Sequence, residues 1–437
     1  MSIELLTLLL LVSLFIFLLL GLPVAFSLIG VSLLFYFVLK GPVAMYALFS
    51  ITLGTGIKDI YIAAPLFVFM AVVLQFSGLA AALYDTMYKW SAGLRGGLAI
   101  GTVLICTIIA AMTGIGATGV VTMGMLALPE MLKRGYDKNI AVGCIPFGGA
   151  LGPLIPPSVL MIIVGGFSAL SIGKLFMGGV FPGLIASLLA VIYISIRCLH
   201  RPELAPSLPP EARATWREKF SSLVVVLPTI ALIIIVLGSI YAGVCTPSEA
   251  GGVGAIGALI CAAIYRKLNW ENLKSGTLVT LRVSTMLFWL LIGGGMFASI
   301  MSVSGISHFI AATLSGLPVP PIGILIVMML ITFVMGMIMD GAAITMICMP
   351  IFMPVIFILG YDPLWFALLF TINLIIGYIS PPFGMNLFYM KGLVPPDISL
   401  GDIYRSSWPY VGILIIVLLL GIIFPEILLW LPNKMIK

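Results

Sequence analysis

The residue with the most chemistry to offer is Asp340. It stands in Gly336-Met-Ile-Met-Asp340-Gly341, in the middle of the apolar run 322–359, whereas most other acids fall at the ends of such runs or between them. A carboxylate so placed binds a cation, relays a proton or caps the second arm of a helical hairpin. Two proline pairs offer backbone chemistry instead. Gly152-Pro-Leu-Ile-Pro-Pro-Ser158 and Ile379-Ser-Pro-Pro-Phe-Gly-Met-Asn386 each interrupt an apolar run long enough to span a bilayer. Proline removes an intrahelical hydrogen bond and clashes with the preceding turn, so each pair unwinds its helix and frees carbonyl groups. Freed carbonyls suit sodium, and the helix N-termini at the same breaks attract an anion.

The elements that hold these groups follow from composition. Of 437 residues, 62% are hydrophobic and 8% charged, and the mean hydropathy is +1.27. Soluble domains carry about 25% charged residues, so a cytosolic enzyme, a secreted scaffold and a disordered chain are all excluded. The remaining class is an all-α polytopic membrane protein, because helices satisfy their own backbone in lipid and open sheets do not. At roughly 20 apolar residues per span, the chain holds about ten to thirteen segments. Six cysteines sit singly without CxxC spacing, and His200 and His308 are far apart, so neither a disulfide framework nor a transition-metal site is expected. No HExxH or GxSxG occurs and Asp340 has no second acid within a span to pair with, so the chain reads as a non-enzyme without organic cofactor or nucleic-acid partner. The apolar N-terminus lacks a basic leader and a cleavage site and reads as a retained first helix.

Apolar runs fall at 3–20, 22–39, 60–84, 97–132, 139–170, 175–198, 221–243, 248–265, 275–306, 321–359, 363–390 and 408–431. Two are long enough to cross and return. The run 97–132 is broken at Thr113-Gly-Ile-Gly-Ala-Thr-Gly119 and has basic residues at both ends, so it reads as a re-entrant hairpin from the cytoplasm. The run 321–359 has none at either end and reads as a hairpin from outside. With about ten crossings and the N-terminus outside, sixteen of the 21 lysines and arginines fall in the cytoplasm, including Arg213, Arg282 and those of the polar stretch 200–219.

The two odd regions match each other at a constant offset of 225 residues: Gly116-Ala117 with Gly341-Ala342, Pro129 with Pro354, Gly135-Tyr-Asp137 with Gly360-Tyr-Asp362, Gly152 with Gly377, and Pro156-Pro157 with Pro381-Pro382. Opposite hairpin orientations make this an inverted repeat, the build of transporters that bind substrate at the bilayer midplane. The expected organisation is scaffold helices at 1–95; a first transport repeat at 96–174, with hairpin 97–132 and broken helix 139–170; scaffold helices with a cytoplasmic loop at 175–306; a second transport repeat at 307–392, with hairpin 321–359 and broken helix 363–390; and a scaffold helix at 393–437.

These residues resemble the large membrane subunit of tripartite ATP-independent periplasmic (TRAP) transporters. The likeness runs through Gly21-Leu-Pro-Val-Ala-Phe26, Pro65-Leu-Phe67, Leu94-Arg-Gly-Gly-Leu98, Leu128-Pro129, Leu154-Ile-Pro-Pro-Ser158, Thr246-Pro-Ser-Glu-Ala250, Met339-Asp340 and Ile379-Ser-Pro-Pro-Phe-Gly384. It implies an ion-transporter-superfamily elevator fold in the bacterial inner membrane, N-terminus periplasmic, importing a small organic anion with sodium. Implied partners are a small four-helix (Q-type) membrane subunit and a periplasmic substrate-binding (P-type) protein, besides membrane lipid. Taken with the repeat, it implies sodium at Thr113, Gly114, Gly116, Thr118, Gly152, Pro156, Gly336, Asp340, Gly341, Ser380 and Pro381, and substrate at Pro157, Ser158, Asn373, Pro382, Gly384 and Asn386. Many relatives read Ser-Gly-Ser-Ser at the first tip where this chain has Thr113-Gly-Ile-Gly116, which shifts sodium there toward backbone carbonyls and Thr113 or Thr118. The nearest rival, a stand-alone sodium-coupled dicarboxylate carrier, typically shows Ser-Asn-Thr at both tips; this chain has none.

Overall fold

The computed structural model describes residues 2–91, 93–114, 116–207 and 214–435, and among them it contains twenty α-helices and no β-strand. Arg213, Ile115 of the first tip and the side chain of Thr113 lie outside the described residues. Eight of the described helices are long and apolar enough to cross a membrane by length and composition.

The chain begins with α1 (Ile3–Leu19), α2 (Val24–Lys40) and α3 (Val43–Gly56). The sequence reading has no element at α3. Gly41, at φ +62, turns the chain after α2, and Pro42 stands at the N-cap of the next helix. The run 60–84, expected as one crossing, is two helices, α4 (Ala63–Phe76) and α5 (Leu79–Ser91). Gly78 separates them at φ +76, a left-handed conformation that glycine adopts without a Cβ clash.

Next come α6 (Gly97–Thr113) and α7 (Gly116–Lys133), which pack together as a hairpin, then α8 (Lys138–Ala150) and α9 (Val159–Ser168), the halves of a broken helix. The middle of the chain holds α10 (Ile172–His200), α11 (Trp216–Tyr241), α12 (Pro247–Ile264), α13 (Trp270–Val303) and α14 (Ile306–Ser315). A second hairpin, α15 (Pro321–Ile338) and α16 (Gly341–Leu359), leads to a second broken helix, α17 (Pro363–Tyr378) and α18 (Met385–Lys391). The chain closes with α19 (Leu400–Ile423) and α20 (Glu426–Asn433).

Helices end and restart at 113–116, 150–159, 338–341 and 378–385, and the correspondence between the two halves reaches further than the matching residues. α7 and α16 start 225 residues apart, as do α8 and α17. α5 and α14, at Leu79 and Ile306, are corresponding short helices, each entered through a positive-φ glycine, Gly78 and Gly305. The two repeats pack reciprocally. α9 lies against α16 while α18 lies against α7, and α8 lies against α19 while α17 lies against α10.

Local sequence explains the helix starts. Thr246-Pro-Ser-Glu249 is a capping box: the Glu249 carboxylate accepts from the Thr246 N–H at 2.8 Å, and the Glu249 N–H donates to the Thr246 hydroxyl at 3.3 Å. Two N-terminal donors without intrahelical partners are thereby satisfied, with Pro247 in the first turn. Thr215 with Glu218 and Ser399 with Asp402 start α11 and α19 in the same way.

Small residues set the closest approaches. α15 crosses α17 at Gly336 and Gly377, where a Cβ on Gly377 would sit 2.6 Å from the Gly336 carbonyl carbon. In the first repeat Gly116 and Gly119 press on Gly149. Such glycines let backbones touch without a hydrophobic driving force. Gly377→Ala is expected to destabilise the protein by about 1–3 kcal/mol, read as a lowered thermal midpoint in detergent. Gly412→Ala, with nothing near its new methyl group, is the reference; equal midpoints would refute the contact's importance.

Candidate substrate and ion site

The two breaks differ from simple kinks because their polar groups are held by named partners. In the first, the Ser158 hydroxyl donates to the Pro153 carbonyl at 2.7 Å and accepts from the Met161 N–H at 3.2 Å, so it bridges the turn and caps α9. In the second, the Ser380 hydroxyl donates to the Ile376 carbonyl at 2.7 Å and Tyr404 donates to the carbonyl of Pro382. Gly384, at φ +50, starts α18, and a Cβ there would meet the Ser380 carbonyl oxygen at 2.9 Å. Asn386 reaches across the repeats, its Nδ2 donating to the Pro146 carbonyl on α8 at 3.0 Å.

Each hairpin tip rests on a break. Gly114 ends α6 at φ +59, and a Cβ there would meet the Pro157 carbonyl oxygen at 2.4 Å; one on Gly116 would meet that of Gly149 at 2.9 Å. At the second tip Asp340 is the N-cap of α16, its Oδ2 accepting from the Ala342 N–H at 2.8 Å. The Gly341 N–H donates to the Tyr378 hydroxyl at 2.8 Å, which pins the tip to the end of α17. The capping bond does not hide Asp340, which remains exposed.

Both tips and both breaks open on one cavity of about 210 Å³. Gly114, Gly116 and Ala117 come from the first tip, and Pro153, Val159, Leu160 and Ile163 from the first broken helix. Asp340 and Ala342 come from the second tip, Tyr378, Met385, Asn386 and Tyr389 from the second broken helix, and α13 closes the far wall with Val283, Met286, Leu287 and Leu290. The first turns of α7, α9, α16 and α18 therefore all reach the cavity. Helix N-termini carry partial positive charge and oriented N–H groups, and none of the described lining residues is a lysine or arginine.

Of the residues singled out by the sequence, Gly114, Gly116, Asp340 and Asn386 line this cavity. Pro156, Pro157, Ser158, Ser380, Pro381, Pro382 and Gly384 form the turns behind it, Gly341 opens α16, Gly152 lies buried in the first turn, and Thr118 is half-buried at the start of α7. Asn373 and Gly336 are elsewhere. Asn373 donates to the Met329 carbonyl at 2.5 Å, tying α17 to α15. Tyr378, Tyr389 and the α13 wall were missed; Tyr378, directly before the second break, was the one position the sequence could have flagged. Away from the cavity, Lys138 donates to Asp397 at 2.9 Å and holds that exposed carboxyl below the usual range, linking the start of α8 to the loop after α18.

Broken helices in two corresponding repeats, meeting tip to tip at one cavity, define a secondary membrane transporter. The fold is shared with the YdaH transporter of Alcanivorax borkumensis, a crystal structure 17% identical that superposes with a TM-score of 0.65 over 89% of this chain and 91% of that one. The family model "Tripartite ATP-independent periplasmic transporter, DctM component" matches residues 11–427, and the chain belongs to that family. It is 32% identical over 373 residues to the C4-dicarboxylate TRAP transporter large permease protein of Pseudomonas aeruginosa, covering 85% of this chain and 86% of that protein. It is 30% identical over 416 residues to the isethionate TRAP transporter permease protein DctMQ of Oleidesulfovibrio alaskensis, covering 94% of this chain and 64% of that longer protein.

Tyr378→Phe leaves the Gly341 N–H without its acceptor, which costs about 1–3 kcal/mol; faster amide exchange at residues 341–343 is the expected result, and unchanged exchange would show that the tip is held otherwise. Asn373→Leu is expected to lower the thermal midpoint while leaving the apparent substrate affinity of reconstituted transport unchanged, which separates it from the cavity residues.

Proposed function

We propose that this chain is the large membrane subunit of a sodium-coupled importer of small organic anions, such as carboxylates, acidic sugars or sulfonates, across the bacterial inner membrane. The observation that carries this reading is the convergence of both tips and both breaks on one cavity that Asp340 faces. Helix N-termini supply the attraction for an anion without a lysine or arginine, and Asp340 with nearby carbonyls supplies oxygen donors for sodium. The C4-dicarboxylate and isethionate named for the two relatives are both small anions. Family membership in a tripartite system favours this reading over a stand-alone dicarboxylate carrier.

The rest of the cycle follows. The two repeats, with N-terminus outside and oppositely directed hairpins, form a transport unit that carries the cavity across the membrane against the remaining scaffold, the elevator movement. Substrate arrives from a periplasmic binding protein, and a small membrane subunit completes the scaffold; the combined designation DctMQ of one relative fits such a pairing. Sodium loads beside Asp340 and couples inward movement to its gradient.

Thermal unfolding of the detergent-purified protein tests the ion step. A ligand that binds only the folded state stabilises by about 2.7 kcal/mol at a hundredfold excess over Kd. Sodium is expected to raise the midpoint above potassium at equal ionic strength, and Asp340→Asn to lose part of that rise. Equal midpoints in the two salts would remove the sodium reading.

A further inference from the structure

A second cavity, of about 610 Å³, lies between α2, α13 and the second hairpin tip. Its walls are apolar apart from Arg282, Thr285 and Asp340. Arg282, which the topology reading placed in the cytoplasm, is on the fourth turn of α13, exposed, and none of the four ion pairs among the described residues involves it. Arg282, Met286 and Leu290 recur at intervals of four, so they share one helix face. From Arg282 to Leu290 that face is roughly 12 Å long at 1.5 Å per residue. Phe26 on α2 and Trp289 on α13, with ring centroids 5.6 Å apart, close one side.

An unpaired guanidinium heading an apolar groove is complementary to an anionic head on an aliphatic tail. We propose that this groove binds an anionic phospholipid, its phosphate on Arg282 and an acyl chain along the Met286 and Leu290 face of α13. Arginine is suited to phosphate because its planar fork presents several donors and is weakly hydrated, and an ionisable side chain within a spanning helix needs a partner. Met286, Leu290 and Asp340 also line the substrate cavity. The acyl chain therefore lies beside the wall that the two cavities share.

The test uses the full chain in phosphatidylcholine nanodiscs doped with phosphatidylglycerol, with retained lipid counted by native mass spectrometry after mild delipidation. Wild type is expected to retain phosphatidylglycerol over phosphatidylcholine by about fivefold, the ratio that one basic residue beside an anionic lipid supplies. Arg282→Gln is expected to abolish the preference, Arg282→Lys to keep most of it, and Thr285→Trp, which fills the groove, to lower retention of both lipids. Equal retention of the two lipids by wild type overturns the proposal, as does an undiminished preference in Arg282→Gln. Loss of the bound phosphatidylglycerol on adding the small membrane subunit also overturns it, since the groove is then a protein interface.

Discussion

Every feature of the site depends on one constraint: a peptide group unwound inside hydrocarbon must find a partner. In water a proline pair within a helix is a kink with hydrated carbonyls; in lipid each unpaired group costs several kcal/mol. Much of that demand is met with side chains of the protein itself. Ser158 serves Pro153, Tyr404 serves Pro382, Asn386 serves Pro146, and Tyr378 accepts from Gly341. The buried side-chain polar atoms without a partner among the described residues, on Tyr84, Ser284 and Tyr410, all lie outside the breaks. Polar residues that look like ligands in the sequence are thus first of all the supports that let the backbone be irregular there.

Once the breaks are supported, glycine decides how closely they assemble. Contacts between Gly336 and Gly377, and among Gly116, Gly119 and Gly149, bring backbone to backbone, so little room is left for adjustment within either repeat. This closeness directs the starts of several helices to the same small volume. It also lets Asp340 serve as a cap while remaining on the cavity wall. The carboxylate caps α16 through one oxygen and still faces the cavity, so helix start and charged group are one device.

Much of this arrangement was legible because glycine and proline act on their own backbone. Gly116 and Gly341, or the two proline pairs, mean the same thing wherever they occur, and their constant spacing exposed the repeat. Apolar composition carries no such local message: α3 and α14 went unseen, and the stop at Gly78 was lost in the run 60–84. The far wall of the cavity was illegible for another reason. Val283, Met286 and Leu290 are ordinary residues of a long helix, and only tertiary packing brings them opposite the tips. Asn373 shows the converse, since a polar residue at a plausible depth turns toward a neighbouring helix and not toward the cavity.

The bond from Asn386 to the Pro146 carbonyl spans 240 positions of the chain, and the pair of Lys138 with Asp397 spans 259. A ribosome makes the first hairpin and first broken helix long before either partner exists. Non-local contacts of this kind form late in folding. Until then α8 lacks its neighbours α18 and α19, and its break must wait in the membrane half-assembled. The first repeat therefore completes its packing only after the C-terminal helices α18 and α19 have been made.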